Sequence, residues 1–345
     1  MKKRIRAFCV ASLSLSSLAS VNTLSAFDRY DPCCENECGG LPAIYAEAEY
    51  LFVKPCVDDL DWAVKSSQNI AGDFNVTGEG SVKHLDPGWK SGFRLKVGKD
   101  DIIEDWGVSL GYSYLKGEES AKETRPEGGT LLPTMIHLGN LGASAFNADE
   151  ARAKWSLRIQ TIDILINHPM QCNECHLFNP YFGAEALILN QMIKSEFLAG
   201  QEDLSSRWES DYWGVGVVLG MRYDWKLTSC FGFFADVSGR IIRGDADMDD
   251  HFRTNVLDAL DQDFKFRYND CLFVPGYKIA VGFSFNQELC GKKFRLDAGY
   301  EFMRWHHLPN PRRYVTGSEG LPISTSPSTS ALGLHGALIG LQVNF

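Results

Sequence analysis

The stretch Gly336-Ala-Leu-Ile-Gly-Leu-Gln-Val-Asn-Phe345 decides how this chain is read. Counted back in twos, Phe345, Val343, Leu341, Ile339 and Ala337 are apolar. Asn344, Gln342, Gly340, Leu338 and Gly336 between them are mostly polar or small. A period of two places the two sets on opposite faces of a strand. About ten residues with one apolar face cross a bilayer when tilted. Alone, the segment fits a terminal strand of a soluble sandwich equally well.

Nine upstream segments repeat the pattern. Ile44, Ala46, Ala48, Tyr50 and Phe52 alternate with Tyr45, Glu47, Glu49 and Leu51; Phe93, Leu95 and Val97, preceded by Trp89, alternate with Lys90, Arg94 and Lys96. Trp106 to Tyr114 forms a third segment. Trp155, Leu157 and Ile159 begin a fourth, whose phase breaks near Thr161–Asp163 and reads as a bulge. Phe182 to Ile188 follows. The strongest segment sets Trp213, Val215, Val217, Leu219, Met221, Tyr223 and Trp225 against Gly214, Gly216, Gly220, Arg222 and Asp224. Segments headed by Phe231, Tyr277 and Phe294 complete the set. Soluble strands average about five or six residues, so ten segments of this length point to an all-β, transmembrane antiparallel up-and-down barrel of about ten strands. Leu60, Trp62 and Val64 leave room for an added pair, making twelve. Trp89, Trp106, Trp155, Trp213, Tyr223 and Trp225 are expected in aromatic girdles at the membrane borders.

Connections between segments alternate in length. Those at 55–87, 116–153, 191–211, 243–273 and 304–333 are long, whereas 99–104, 226–229 and 287–291 are short and 167–178 is intermediate. Outer-membrane barrels carry short periplasmic turns and long external loops, so both chain ends are placed on the periplasmic side.

The amino end has Lys2, Lys3, Arg4 and Arg6 before an apolar run to about Leu24, then Leu24-Ser25-Ala26. Residues 1–26 read as a cleaved signal peptide, 27–42 as a Cys-rich periplasmic segment, and 43–345 as the barrel. Removing four basic residues from 34 leaves 30 against 44 acidic, a net of about −14. That balance disfavours nucleic-acid binding.

If the apolar set faces lipid, the other set faces the lumen. Lys90, Arg94, Lys96, Arg158, Arg222, Arg240, Lys278 and Arg295 are its basic members, and Glu47, Glu49, Glu185, Asp224, Asp236, Asp297 and Glu301 its acidic ones. These charges either line a path for small hydrophilic solutes or pair and close the barrel. Of the nine cysteines after the signal, Cys33, Cys34, Cys38, Cys172, Cys175, Cys230 and Cys290 fall on the periplasmic side. They are candidates for disulfides, within the chain or to other envelope proteins. Neither metal nor cofactor is expected, although Cys172-Asn-Glu-Cys175-His176 has the spacing of a zinc half-site. His306 and His307 with the Asp-rich 243–264 stretch are the candidate groups for an enzyme. No G-x-S-x-G motif accompanies them, and no enzyme is expected.

Several short motifs resemble the Legionella-type pore-forming outer-membrane protein family, which also occurs in chlamydia-like bacteria. They are Ala46-Glu47-Ala48-Glu49-Tyr50-Leu51 with Leu60-Asp61-Trp62-Ala63, Asp86-Pro87-Gly88-Trp89 leading to Gly92-Phe93-Arg94, Pro180-Tyr181-Phe182-Gly183, Trp213-Gly214-Val215-Gly216, and Ala298-Gly299-Tyr300-Glu301 with Trp305. The resemblance implies an outer-membrane location and a porin-like role, and supplies no catalytic residues. The cysteines depart from the family pattern and resemble the disulfide-crosslinked envelopes of chlamydial bacteria.

Overall fold

The computed structural model describes residues 44–69, 79–103, 105–134, 147–255, 262–289, 292–311, 313–316, 322–326 and 329–345. The signal peptide, Cys33, Cys34, Cys38 and Cys290 lie outside the described residues.

Ten strands form one closed antiparallel barrel: β1 (Tyr45–Val57), β2 (Lys90–Ile103), β3 (Trp106–Thr124), β4 (Glu150–Asn167), β5 (His176–Ala199), β6 (Glu202–Lys226), β7 (Phe231–Asn255), β8 (Gln262–Leu289), β9 (Lys292–Pro309) and β10 (Thr329–Asn344). Each pairs with its neighbours in sequence. The register from Tyr45↔Asn344 to Val57↔Leu332 joins β10 to β1 and leaves no edge. The pattern at Gly336–Phe345 is thus the closing strand.

Strand length reveals what the sequence reading missed. A bilayer needs about 9–11 residues of tilted strand, yet β6 and β7 have 25 residues each and β8 has 28. The excess lies at the end opposite both termini, which is the outer end. The stretches 191–211 and 243–273, expected as long loops, are mostly strand. β5 and β6 meet in a turn at residues 200–201, where Gly200 takes φ 62°, a left-handed value that glycine adopts without a Cβ penalty. The expected loop at 116–153 likewise loses its ends to β3 and β4.

Alternation persists in these extensions but its polarity inverts. Within the membrane, Val215, Val217 and Leu219 of β6 are exposed outward, while Arg222 and Asp224 point in. Above it, Arg207, Glu209 and Asp211 point out, while Leu204, Trp208 and Tyr212 are buried. Lipid solvates an apolar outer face and water a charged one, so the same two-residue rhythm must exchange its faces' chemistry at the border. β4 does the same without a break. Its pairings with β3 and β5 show no register shift near Thr161–Asp163, so the expected bulge is absent there. Trp155 is therefore buried inside at 0% exposure and belongs to no girdle. Arg158 is exposed on the outside, not in the lumen.

The segment Asp61–Ser66 adds no strands to the wall. With Ser81–His84 and Thr130–Pro133 it forms a separate three-stranded sheet. Leu60, Trp62, Ala63 and Leu131 of this cap join Trp155, Leu157, Leu189, Phe197 and Trp208 in one buried cluster. The Trp62 and Phe197 rings lie 6.3 Å apart. The outer end of the barrel is thus filled like a soluble core.

Candidate functional site

Below the cap, in the membrane zone, the inward face is polar because the outward face must be apolar. Four charge clusters cross it. Arg94, on β2, donates to Glu49 of the adjacent β1 and to Glu301 of β9, the latter at 3.0 Å. Arg222 bonds Asp297 at 2.6 Å and Asp224 at 3.3 Å, and Arg295 bonds Asp297 at 2.8 Å and also Asp224, forming a closed square of two guanidiniums and two carboxylates. Arg240 makes a fork to both oxygens of Glu185 at 2.8 and 2.9 Å. Lys278 reaches Asp236 at 2.7 Å, and the Tyr181 hydroxyl donates to the same carboxylate at 2.7 Å. The Arg222 guanidinium also sits 4.6 Å from the centre of the Phe234 ring.

Glycine makes room for this lining. A Cβ at Gly98 would fall 2.5 Å from the Tyr45 ring, so the phenol lies across the wall only because that position has no side chain. Between the clusters remains a cavity of about 120 Å³, bordered by Tyr45, Glu47, Lys96, Asp163, Tyr181 and Lys278 among others. That space has room for roughly four to ten waters. Among the described residues Lys96, Glu47 and Asp163 make no direct ion pair, so their charges face the cavity.

Eleven of the twelve basic and acidic lumen candidates Lys90, Arg94, Lys96, Arg158, Arg222, Asp224, Asp236, Arg240, Lys278, Arg295, Asp297 and Glu301 therefore point inward; Arg158 is the exception. Lys90 sits higher than the rest, at the outer mouth, bonded to Glu119 at 3.1 Å. Asp163 and Asn167 escaped the sequence reading because the supposed bulge hid their phase; an unbroken count from Ala151 finds both. Trp62 was legible as part of an alternating segment but not as a cap residue, and Leu131 carried no comparable signal.

The girdle residues other than Trp155 lie on the outer surface. Trp89 stacks on Phe52 at 5.1 Å, Trp106 on His168 at 4.8 Å, and Tyr223 accepts or donates a 2.7 Å bond with His176. Trp213 and Trp225 are exposed at opposite ends of the β6 stripe. Cys172 and Cys175 are exposed at the periplasmic β4–β5 turn and Cys230 is buried. His306 lies against Tyr277, ring centres 6.0 Å apart, and His307 occupies a left-handed position (φ 60°) where the β9–β10 register shifts. The Asp245, Asp247 and Asp249 side chains face outward from β7.

The family model described as Legionella pneumophila major outer membrane protein precursor matches residues 42–345. No curated protein matches the chain. Among solved structures, the outer membrane protease OmpT of Escherichia coli aligns with TM-score 0.41 and 9% identity over 88% of this chain and 97% of that one. The toluene transporter TodX of Pseudomonas putida aligns with TM-score 0.30 and 7% identity, over 88% and 90%.

Proposed function

We propose, from the premise that the chain belongs to the Legionella major outer membrane protein family, that this integral outer-membrane barrel is a porin-like passage for small hydrophilic solutes whose outer mouth is closed by its own cap. The observation that carries this reading is the polar cavity between charge clusters in the membrane zone. Filling a narrow barrel with well-packed apolar side chains is often as stable as filling it with buried ion pairs, and this chain fills its outer half that way. Keeping charges and water-sized space across the membrane suits polar cargo. The cap is held by apolar contact and by the bonds of Lys65 and Lys83 to Glu123, and the Trp62, Trp155 and Trp208 indole N–H groups are buried in the apolar cluster without an acceptor among the described residues. Each such group costs about 1–3 kcal/mol while unsatisfied, so lifting the cap recovers part of its own cost.

Planar-bilayer recording tests the reading. The wild-type barrel should open rarely, and Trp62→Ala combined with Leu131→Ala should open it often. Silence from both folded proteins would reject the passage.

A second reading, favoured by the pairing of nearly every lumen charge, is a closed structural barrel. It would be tied to envelope neighbours through periplasmic cysteines such as Cys172 and Cys175. Non-reducing gels of intact envelopes test it: crosslinked species that collapse on reduction support it, and monomer alone rejects it.

A further inference from the structure

Arg158, displaced from the lumen, finds a role on the outside. It stands directly opposite Lys116 across the β3–β4 ladder, and Lys154 follows on the same face of β4. Residues directly opposed across a ladder sit about 4.5–5.5 Å apart at Cβ, and like charges so placed repel. One carboxylate, Glu118, serves both lysines, at 2.9 Å from Lys116 and 3.2 Å from Lys154. Arg158 makes no ion pair among the described residues. Three cations therefore share a single anion, in a mature chain that carries about −14.

Height decides the partner. Below the trio, the outward faces of β3 and β4 are Leu110 and Tyr112, and Ile162 and Ile164, the belt that acyl chains cover. Tyr114 and Gln160 mark the border. The trio thus begins where hydrocarbon ends and headgroups begin. Along the row from Lys116 and Arg158 the wall continues through Asn190 to Asp211 and Asp247; the Lys154 row continues through Lys194 and Arg207, but each of these has its own carboxylate, Glu196 and Glu209, so the excess of cations over anions stops at β5. We propose that Lys116, Lys154 and Arg158 bind the phosphate monoester of an outer-leaflet glycolipid, whose acyl chains lie along the β3–β4 belt. The guanidinium supplies a planar pair of donors and the two ammoniums supply point charges, the combination suited to a doubly charged phosphate.

The test is binding of bisphosphorylated hexa-acyl lipid A to the purified, folded barrel in detergent, read by native mass spectrometry. The wild type should retain lipid A. The variant K116Q/K154Q/R158Q, checked for heat-modifiable migration on gels as evidence of folding, should bind about tenfold or more weakly. Lys265, four strands away on β8 and 3.8 Å from Asp263, serves as control, and Lys265→Gln should bind as wild type does. Dephosphorylated lipid A should bind wild type no better than lipid A binds the triple variant, and millimolar inorganic phosphate should compete only weakly. Equal binding by wild type and triple variant, or indifference to dephosphorylation, would overturn the assignment; full competition by inorganic phosphate would mark a site for the free ion and overturn the lipid.

Discussion

Arg240 and Glu185 are each about 5% exposed and bonded through two short contacts, whereas Arg267 and Asp249, 2.7 Å apart, are 87% and 51% exposed. Burial separates their energetic weight. Breaking a buried pair leaves an uncompensated charge and costs about 3–5 kcal/mol, while an exposed pair is worth about 0–1 kcal/mol. Glu185→Gln should therefore lower stability to urea by roughly the larger figure, and Asp249→Asn by less than about 1 kcal/mol. Replacing both partners, Glu185→Leu with Arg240→Met, should restore most of the loss. The inward side chains were legible in the sequence because lumen charges sit on the polar face of an apolar stripe. Arg158 and Trp155 were not, since an arginine flanked by Leu157 and Ile159 looks the same whether lipid or packed core covers the apolar side.

Besides its apolar contacts, the cap is tied to the wall by a carboxylate of β3. Glu123 bonds Lys65 at 2.7 Å and Lys83 at 3.3 Å, and these lysines hold its carboxyl below the usual carboxylate range. Glu119, which holds the chain leaving the cap where it enters β2, is lowered too, first by the Gly88 backbone N–H at 2.9 Å and then by Lys90. A carboxyl whose pKa is depressed on folding contributes stability above its ordinary value near 4.3 and loses it as pH falls through the folded value. Cleavage by pepsin in the cap segments should thus rise steeply as pH drops from about 5 to below 4. In Glu119→Gln with Glu123→Gln, the rise beyond the protease's own pH profile should disappear, because the ties are already absent at pH 5. No pH dependence beyond that of the protease itself would show that these ties do not hold the cap. This element was only half legible: Leu60, Trp62 and Val64 announced a strand, but alternation is silent about which sheet a strand joins. Here the partner, Thr130–Pro133, comes from a distant connection.

At the scale of the molecule, one cylinder has two solvents outside and two fillings inside. The sequence carried the ten-strand count, the closure by β10 and the placement of both ends at one rim, away from the long connections, because lipid forces strict alternation over every membrane crossing. It did not carry the long outer extensions, because charged outward and apolar inward residues read as loop to an eye tuned for the membrane phase. A nitroxide scan along β4 in lipid bilayers tests this inversion most directly. Labels at 162 and 164 should be reached by oxygen, labels at 154 and 158 by aqueous nickel chelate, and labels at 155, 157 and 159 by neither. Oxygen access at 155, 157 and 159, with 158 shielded, would place Trp155 in the lipid and contradict the account.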